Sequence, residues 1–214
     1  MNEQSQPLSI DANSTRRDTG VLPYQSLTAL IRDGEIIAAP PIVSQQVQPA
    51  SIDLRLGTTA YRMRASFLPG PERTVEEQIT NFGLHEIDLT GGALLETGCV
   101  YLVPLLESLA LSDGLSGVAN PKSSTGRLDV FTRLITDQAP DFDIVTRGYR
   151  GPLYAEIFPR TFSVIARTGT RLNQLRLSRG TPDVRESELK RLMQDQPVLD
   201  RDLTERETST LFRG

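Results

Sequence analysis

Between Ile36 and Leu177 the chain is written in short apolar runs separated by turn-forming residues, and this rhythm limits the fold more than any other feature. Short strands at close spacing, each bounded by turn signals, specify an all-β sandwich or barrel. The expected strands span 51–56, 59–64, 86–88, 100–104, 107–110, 115–119, 130–135, 153–158, 162–167 and 173–177. Before them, Pro23 suits a first helical turn, Leu27, Leu30 and Ile31 fall at helical spacing, and Gly34 suits the C-terminal cap. A short amphipathic helix over 23–33 is therefore expected. Residues 66–84 read either as a surface excursion or as a short helix over 75–80.

Residues 1–20 are polar and aperiodic, and read as a disordered arm. After Gly180, Thr181 can cap a helix with Pro182 and Asp183 in its first turn and Leu189, Leu192 and Met193 along one side, ended by Pro197. The tail beyond it is charged and linker-like. The organisation expected is thus an arm (1–20), a β domain (21–180) and a helix with a tail (181–214).

Composition removes several kinds of chemistry. No apolar run approaches the ~18 residues of a membrane span, and the N-terminus has no secretory h-region, so the expected compartment is the cytoplasm, with no membrane partner. A net charge of −4 argues against a generic nucleic-acid coat; an anionic ligand would be held by a local basic cluster. There is one histidine, His85, and one cysteine, Cys99, which excludes an intrachain disulfide and a Cys/His zinc cluster. The HxE and PCxxC signatures of zinc-dependent nucleobase deaminases are absent. An enzymatic acid–base group here would be a carboxylate.

The segment from Asn120 to Arg127 gathers two cations, three hydroxyls, a proline and a glycine. Phosphate recognition needs charge-assisted donors, hydroxyl and backbone N–H donors, and close approach of the main chain. Neither a Walker loop nor a GxGxxG fingerprint is present. The plainer alternative is a polar turn opened by Pro121, with Gly126 supplying an unusual backbone angle.

Three further segments accompany it: QPASIDLRLG (Gln48 to Gly57), GYRGPLYAEI (Gly148 to Ile157) and GTRLNQL (Gly169 to Leu175). In this order the four resemble the dCTP deaminase branch of the dCTP deaminase/dUTPase superfamily over roughly residues 21–180. The resemblance implies a distorted β-barrel of jelly-roll type and a homotrimer with active sites between subunits. It implies hydrolytic deamination of dCTP to dUTP and ammonia, feeding dUMP and dTTP synthesis, without catalytic zinc or another catalytic metal. Mg²⁺ is expected with the triphosphate, and dTTP is a candidate inhibitor.

By that resemblance Glu156 is the proton-shuttling carboxylate and Ser123 helps hold the attacking water. Lys122, Ser124 and Arg127 match phosphate-binding positions. Tyr154 and Gln174 are expected at the nucleotide, and Asp53 and Arg55 match a strand at the subunit boundary. From alternation alone, Tyr154, Glu156 and Phe158 share one strand face, so Glu156 lies between two aromatics; partial burial there is expected to raise its pKa. Asp53 and Arg55, at alternate positions, read equally as a structural ion pair and as ligand contacts.

The chain also departs from the pattern. Where the dUTPase branch and many deaminases carry an acid just before GYRG, it has Thr146, leaving Asp137, Asp141 or Asp143 to approach from the preceding loop. Diphosphatase activity is disfavoured but stands as the alternative, alone or coupled to deamination, together with a non-catalytic trimeric nucleotide-binding module. Residues 181–214 show no match to the Tyr-, Lys- and Gln-rich lid of related enzymes, and the chain resembles the front part of a longer form of the family.

Overall fold

The computed structural model describes residues 19–180; the expected helix after Gly180 and nearly all of the expected N-terminal arm lie outside them. The elements run β1 (Gly20–Val21), α1 (Tyr24–Arg32), β2 (Ile36–Ala38), one 3-10 turn (Ser44–Gln46), β3 (Val47–Gln48), β4 (Ser51–Arg55), β5 (Thr59–Met63), α2 (Val75–Phe82), β6 (Gly83–Asp88) and β7 (Ala93–Leu95). They continue with β8 (Val100–Ala110), β9 (Leu115–Pro121), α3 (Ser123–Arg127), β10 (Val130–Thr136), β11 (Ile144–Val145), β12 (Arg150–Pro159), β13 (Val164–Ala166) and β14 (Arg171–Arg179).

The expected mainly-β architecture is present, as two open six-stranded sheets. The first has the order β11-β9-β14-β4-β3, with β1 added to β14; the second has the order β10-β12-β8-β5-β6, with β2 added to β8. A bridge between Leu56 and Leu105 links them, and β7 pairs with β13 alone. Ile52, Leu54, Leu175 and Leu177 of the first sheet meet Leu109, Leu134 and Leu153 of the second, with Leu27 and Leu30 of α1 in the same core. Strand alternation makes this core possible, because every second side chain faces the opposing sheet.

The opposite face of the second sheet has its own apolar layer. Met63, Leu102, Ile135 and Tyr154 pack there beneath Val75, Ile79 and Phe67. Of the two readings of residues 66–84, the helix is the one observed, over Val75–Phe82. Thr74 and Glu77 cap it reciprocally, and Asp137 Oδ1 accepts from Val75 N at 2.8 Å. The Thr74-x-x-Glu77 spacing is a capping box and marks the start of α2 in the sequence.

Two expected strands, 100–104 and 107–110, are one strand, β8. Proline lacks a ladder donor and is tolerated at irregularities; Pro104 sits where β12 shifts register between Pro152 and Tyr154. Among the described residues no helix is long and apolar enough to cross a membrane.

Candidate active site

Strand β9 ends at Pro121, opposite Asn173, and Lys122 N donates to Leu172 O at 2.8 Å. From that anchor the chain winds into α3, with Thr125 N and Gly126 N donating to Lys122 O. Thr125 is buried, and its hydroxyl donates to Leu172 O at 3.0 Å. Its neighbours Ser123, Ser124 and Arg127 are thereby lifted to the surface, where they have no side-chain partner among the described residues. The segment is a helical turn rather than a polar loop, and Gly126 does not take a positive φ; the left-handed residue is Asp129, at φ 50. A Cβ on Gly126 would meet open space.

Lys122 is engaged. Its Nζ donates to Asp53 Oδ2, and Arg171 Nη1 lies 3.6 Å from the same oxygen. Asp53 is 1% exposed, and its Oδ1 is buried without a hydrogen-bond partner among the described residues. Cross-strand register sets Asp53, Gln174 and Asn120 in one row across β4, β14 and β9. Gln174, expected at the nucleotide, accepts from Ser51 Oγ at 3.5 Å.

Asp53 and Arg55 do not pair with each other. Arg55 Nε donates to Glu107 Oε1 at 2.7 Å, Arg55 N donates to Oε2 at 2.7 Å, and Gln46 Nε2 donates to Oε1 at 2.9 Å. The Arg55 guanidinium also reaches Pro40 O at 2.7 Å. Glu107 is 1% exposed, so this network is internal. The alternative of an Asp53–Arg55 ion pair is replaced by two separate clusters, each acid taking its cation from a distant segment.

Glu156 lies in the middle of the second sheet, directly opposite Arg133 of β10 on one side and Leu102 of β8 on the other. It is 3% exposed. Arg133 Nη2 and Nε donate to Glu156 Oε1 at 2.6 and 3.1 Å. The expectation from the strand alone was a carboxyl desolvated between aromatics. Register adds a guanidinium that offsets the cost of burying the charge. Tyr154, on the same face, is 7% exposed in the layer with Met63 and Leu102; burial pushes its phenol well above the ordinary tyrosine value.

The loop before GYRG places its three acids differently. Asp137 caps α2 through Val75 N, and Asp141 is exposed. Asp143, at φ 64, accepts from Leu134 N at 2.7 Å through Oδ1. Burial raises its pKa, the Leu134 N–H and Arg133 oppose that shift, and Glu156 adds to it. Thr146 is exposed and opens the turn in which Tyr149 N donates to Thr146 O at 3.2 Å. Tyr149 closes the turn: its hydroxyl donates to Pro152 O at 2.6 Å and accepts from Asp137 N at 3.1 Å. Burial pushes that phenol up to about 12.

Arg133 and Glu107 are not among the residues expected at the site. The signal for both is a lone charge inside the otherwise β-forming runs VFTRLIT and VYLVPLLESLA, which a buried strand tolerates only when the charge is paired.

Known proteins resemble this chain in sequence and fold. A dCTP deaminase of Halorubrum lacusprofundi is 28% identical over 149 residues, covering 68% of this chain and 70% of the relative. One of Pectobacterium atrosepticum is 26% identical over 141 residues, covering 63% and 70%. The crystal structure of 2'-deoxycytidine 5'-triphosphate deaminase from Agrobacterium tumefaciens shares 52% identity at a TM-score of 0.78, covering 84% of this chain. This chain spans 55% of the length of that structure's chain. The family model described as the 2'-deoxycytidine 5'-triphosphate deaminase (DCD) N-terminal domain matches residues 18–181. By this match over most of its length, the chain belongs to the family of the dCTP deaminase N-terminal domain.

Proposed function

We propose that this chain deaminates dCTP hydrolytically to dUTP and ammonia, with Glu156 as the proton carrier and Ser123 holding the attacking water. The observation that carries this reading is the division of Glu156: Oε1 takes both Arg133 N–H groups, whereas Oε2 has no hydrogen-bond partner among the described residues. A carboxylate held at one oxygen and uncommitted at the other is suited to moving protons.

In this mechanism Oε2 takes a proton from water as the oxygen bonds to C4 of the cytosine, and passes it to the ring nitrogen N3. It then moves the hydroxyl proton to the exocyclic nitrogen. The C4–N bond breaks, ammonia leaves, and the carboxylate is regenerated, so no redox partner is needed. General acid–base transfer of this kind contributes about 10²- to 10⁴-fold in rate.

Ser124, Arg127 and Lys122 receive the phosphates, with Mg²⁺ entering as part of the nucleotide complex. Tyr154 and Gln174 border the nucleotide. The active unit is a homotrimer with sites between subunits, and dTTP competes for the same seat.

The test is incubation of the full chain with dCTP and MgCl₂, following ammonia and nucleotide products. Accumulation of dUTP with stoichiometric ammonia is the expected result. Appearance of dUMP and pyrophosphate would assign diphosphatase chemistry as well, and tight dCTP binding without product would leave a binding module. Light scattering should give a trimeric mass.

A further inference from the structure

On the reading that Glu156 carries the protons, we propose that Arg133 is its positioning residue, clamping Oε1 so that Oε2 is the single oxygen that exchanges protons with water and base. Four observations converge on Arg133. It stands directly opposite Glu156 in the β10–β12 register, so the pairing follows from the sheet rather than from a long flexible reach. Its Nε and Nη2 both address one oxygen, at 3.1 and 2.6 Å, instead of straddling the carboxylate. The usual two-oxygen fork would engage both oxygens; this arrangement leaves Oε2 uncommitted.

The guanidinium is itself fixed from outside the pair. It lies over the Phe142 ring with its carbon 3.5 Å from the centroid, and 5.0 Å from that of Phe131. Stacking of a guanidinium on an aromatic face restricts it to one plane. Nη2 also donates to Ser66 Oγ at 2.7 Å, tying it to the loop before α2. Phe142 belongs to the loop that ends in Asp143, whose carboxylate takes the N–H of Leu134, next to Arg133. Arg133 itself is half-buried, with its side chain 24% exposed.

This has a consequence for orientation. Rows of paired residues flank the ion pair on the same face, Phe131 with Phe158 on one side and Ile135 with Tyr154 on the other. None of these four side chains hydrogen-bonds the Glu156 carboxylate, so the guanidinium is the group that sets its plane. Misplacement of a reacting group by about 1 Å costs about 10²-fold in rate. A lysine at 133 would keep the charge but lose the paired donors and the stacking.

The experiment compares full-chain wild type, Arg133→Ala and Arg133→Lys with dCTP, measuring kcat, KM and thermal unfolding, with and without added guanidinium chloride at millimolar concentration. Arg133→Ala should lose about 10²-fold in kcat with KM little changed. Guanidinium should restore part of that loss, and Arg133→Lys should fall between alanine and wild type. Wild-type kcat in Arg133→Ala, or in Arg133→Lys should the alanine variant not fold, overturns the role. So does a loss that guanidinium leaves untouched and that tracks lowered thermal stability. A wild-type chain that releases no ammonia from dCTP overturns the deaminase reading and this role together, which separates the two failures.

Discussion

Lys122, at the head of the surface-exposed Ser123–Arg127 turn, donates its ammonium to Asp53, in the middle of β4. One contact thus ties the segment from Asn120 to Arg127 to the strand of QPASIDLRLG. Asp53→Asn removes the negative charge that holds both Lys122 and Arg171. The expected outcome is a loss of about 1–3 kcal/mol in unfolding free energy, read from the urea midpoint, because a part-buried ammonium loses its counter-charge. An unchanged midpoint would show that the pair is not structural.

Arg55 and Glu107 anchor a second buried cluster. Glu107→Ala leaves the Arg55 guanidinium, whose side chain is 10% exposed, without its carboxylate. Breaking a buried pair from one side costs about 3–5 kcal/mol. Urea unfolding of Glu107→Ala should show that loss, and Glu107→Gln a smaller one, since the amide oxygen still accepts from Arg55.

Glu156→Gln tests the proposed chemistry. The amide can accept from Arg133 but cannot carry a proton. Ammonia release from dCTP should fall to background, with dCTP affinity by calorimetry retained. Retained turnover would remove Glu156 from the mechanism.

Arg127 is exposed, and its removal should leave the fold intact. Arg127→Ala should weaken dCTP binding by about one to two orders of magnitude, following the ~1.5–3 kcal/mol of a charge-assisted hydrogen bond. The unfolding temperature should not move. Unaltered affinity would place the phosphates elsewhere.

The Asp143 carboxyl has a raised pKa, chiefly from burial. A raised carboxyl favours the folded state while protonated, so its contribution is present at low pH and is lost as pH rises through the folded-state value. Asp143→Asn keeps the acceptor for Leu134 N and tolerates the left-handed backbone. It should raise the unfolding temperature by about 1–3 °C at pH 7, and the gain should vanish below about pH 4. A gain at pH 4 equal to that at pH 7 would contradict this assignment.

Much of the fold is legible in the sequence because strand and turn chemistry is local. The alternation in LYAEIF puts Glu156 with Tyr154 on one face, and both lie there. The helix over Tyr24–Arg32 follows from Leu27 and Leu30, both buried. Strand β13 lies within the expected strand over 162–167, but its partner β7 is not legible, since a three-residue strand acquires its identity only from pairing. Gly126 misled in a different way: a glycine among serines suggests a strained turn, yet here it continues a helical turn that the buried Thr125 holds down.

By itself, then, the sequence determined the β-rich class, the strand faces and the carboxylate between aromatics. Which cation each acid would hold was decided only by the tertiary structure. Arg55 finds Glu107 and not Asp53, Lys122 finds Asp53, and Arg133 finds Glu156. The reason is physical: a strand's face follows from its two-residue period, but a charge's partner follows from inter-strand register and sheet order, which no local pattern encodes. A buried charge must then be matched by whatever that register brings opposite it.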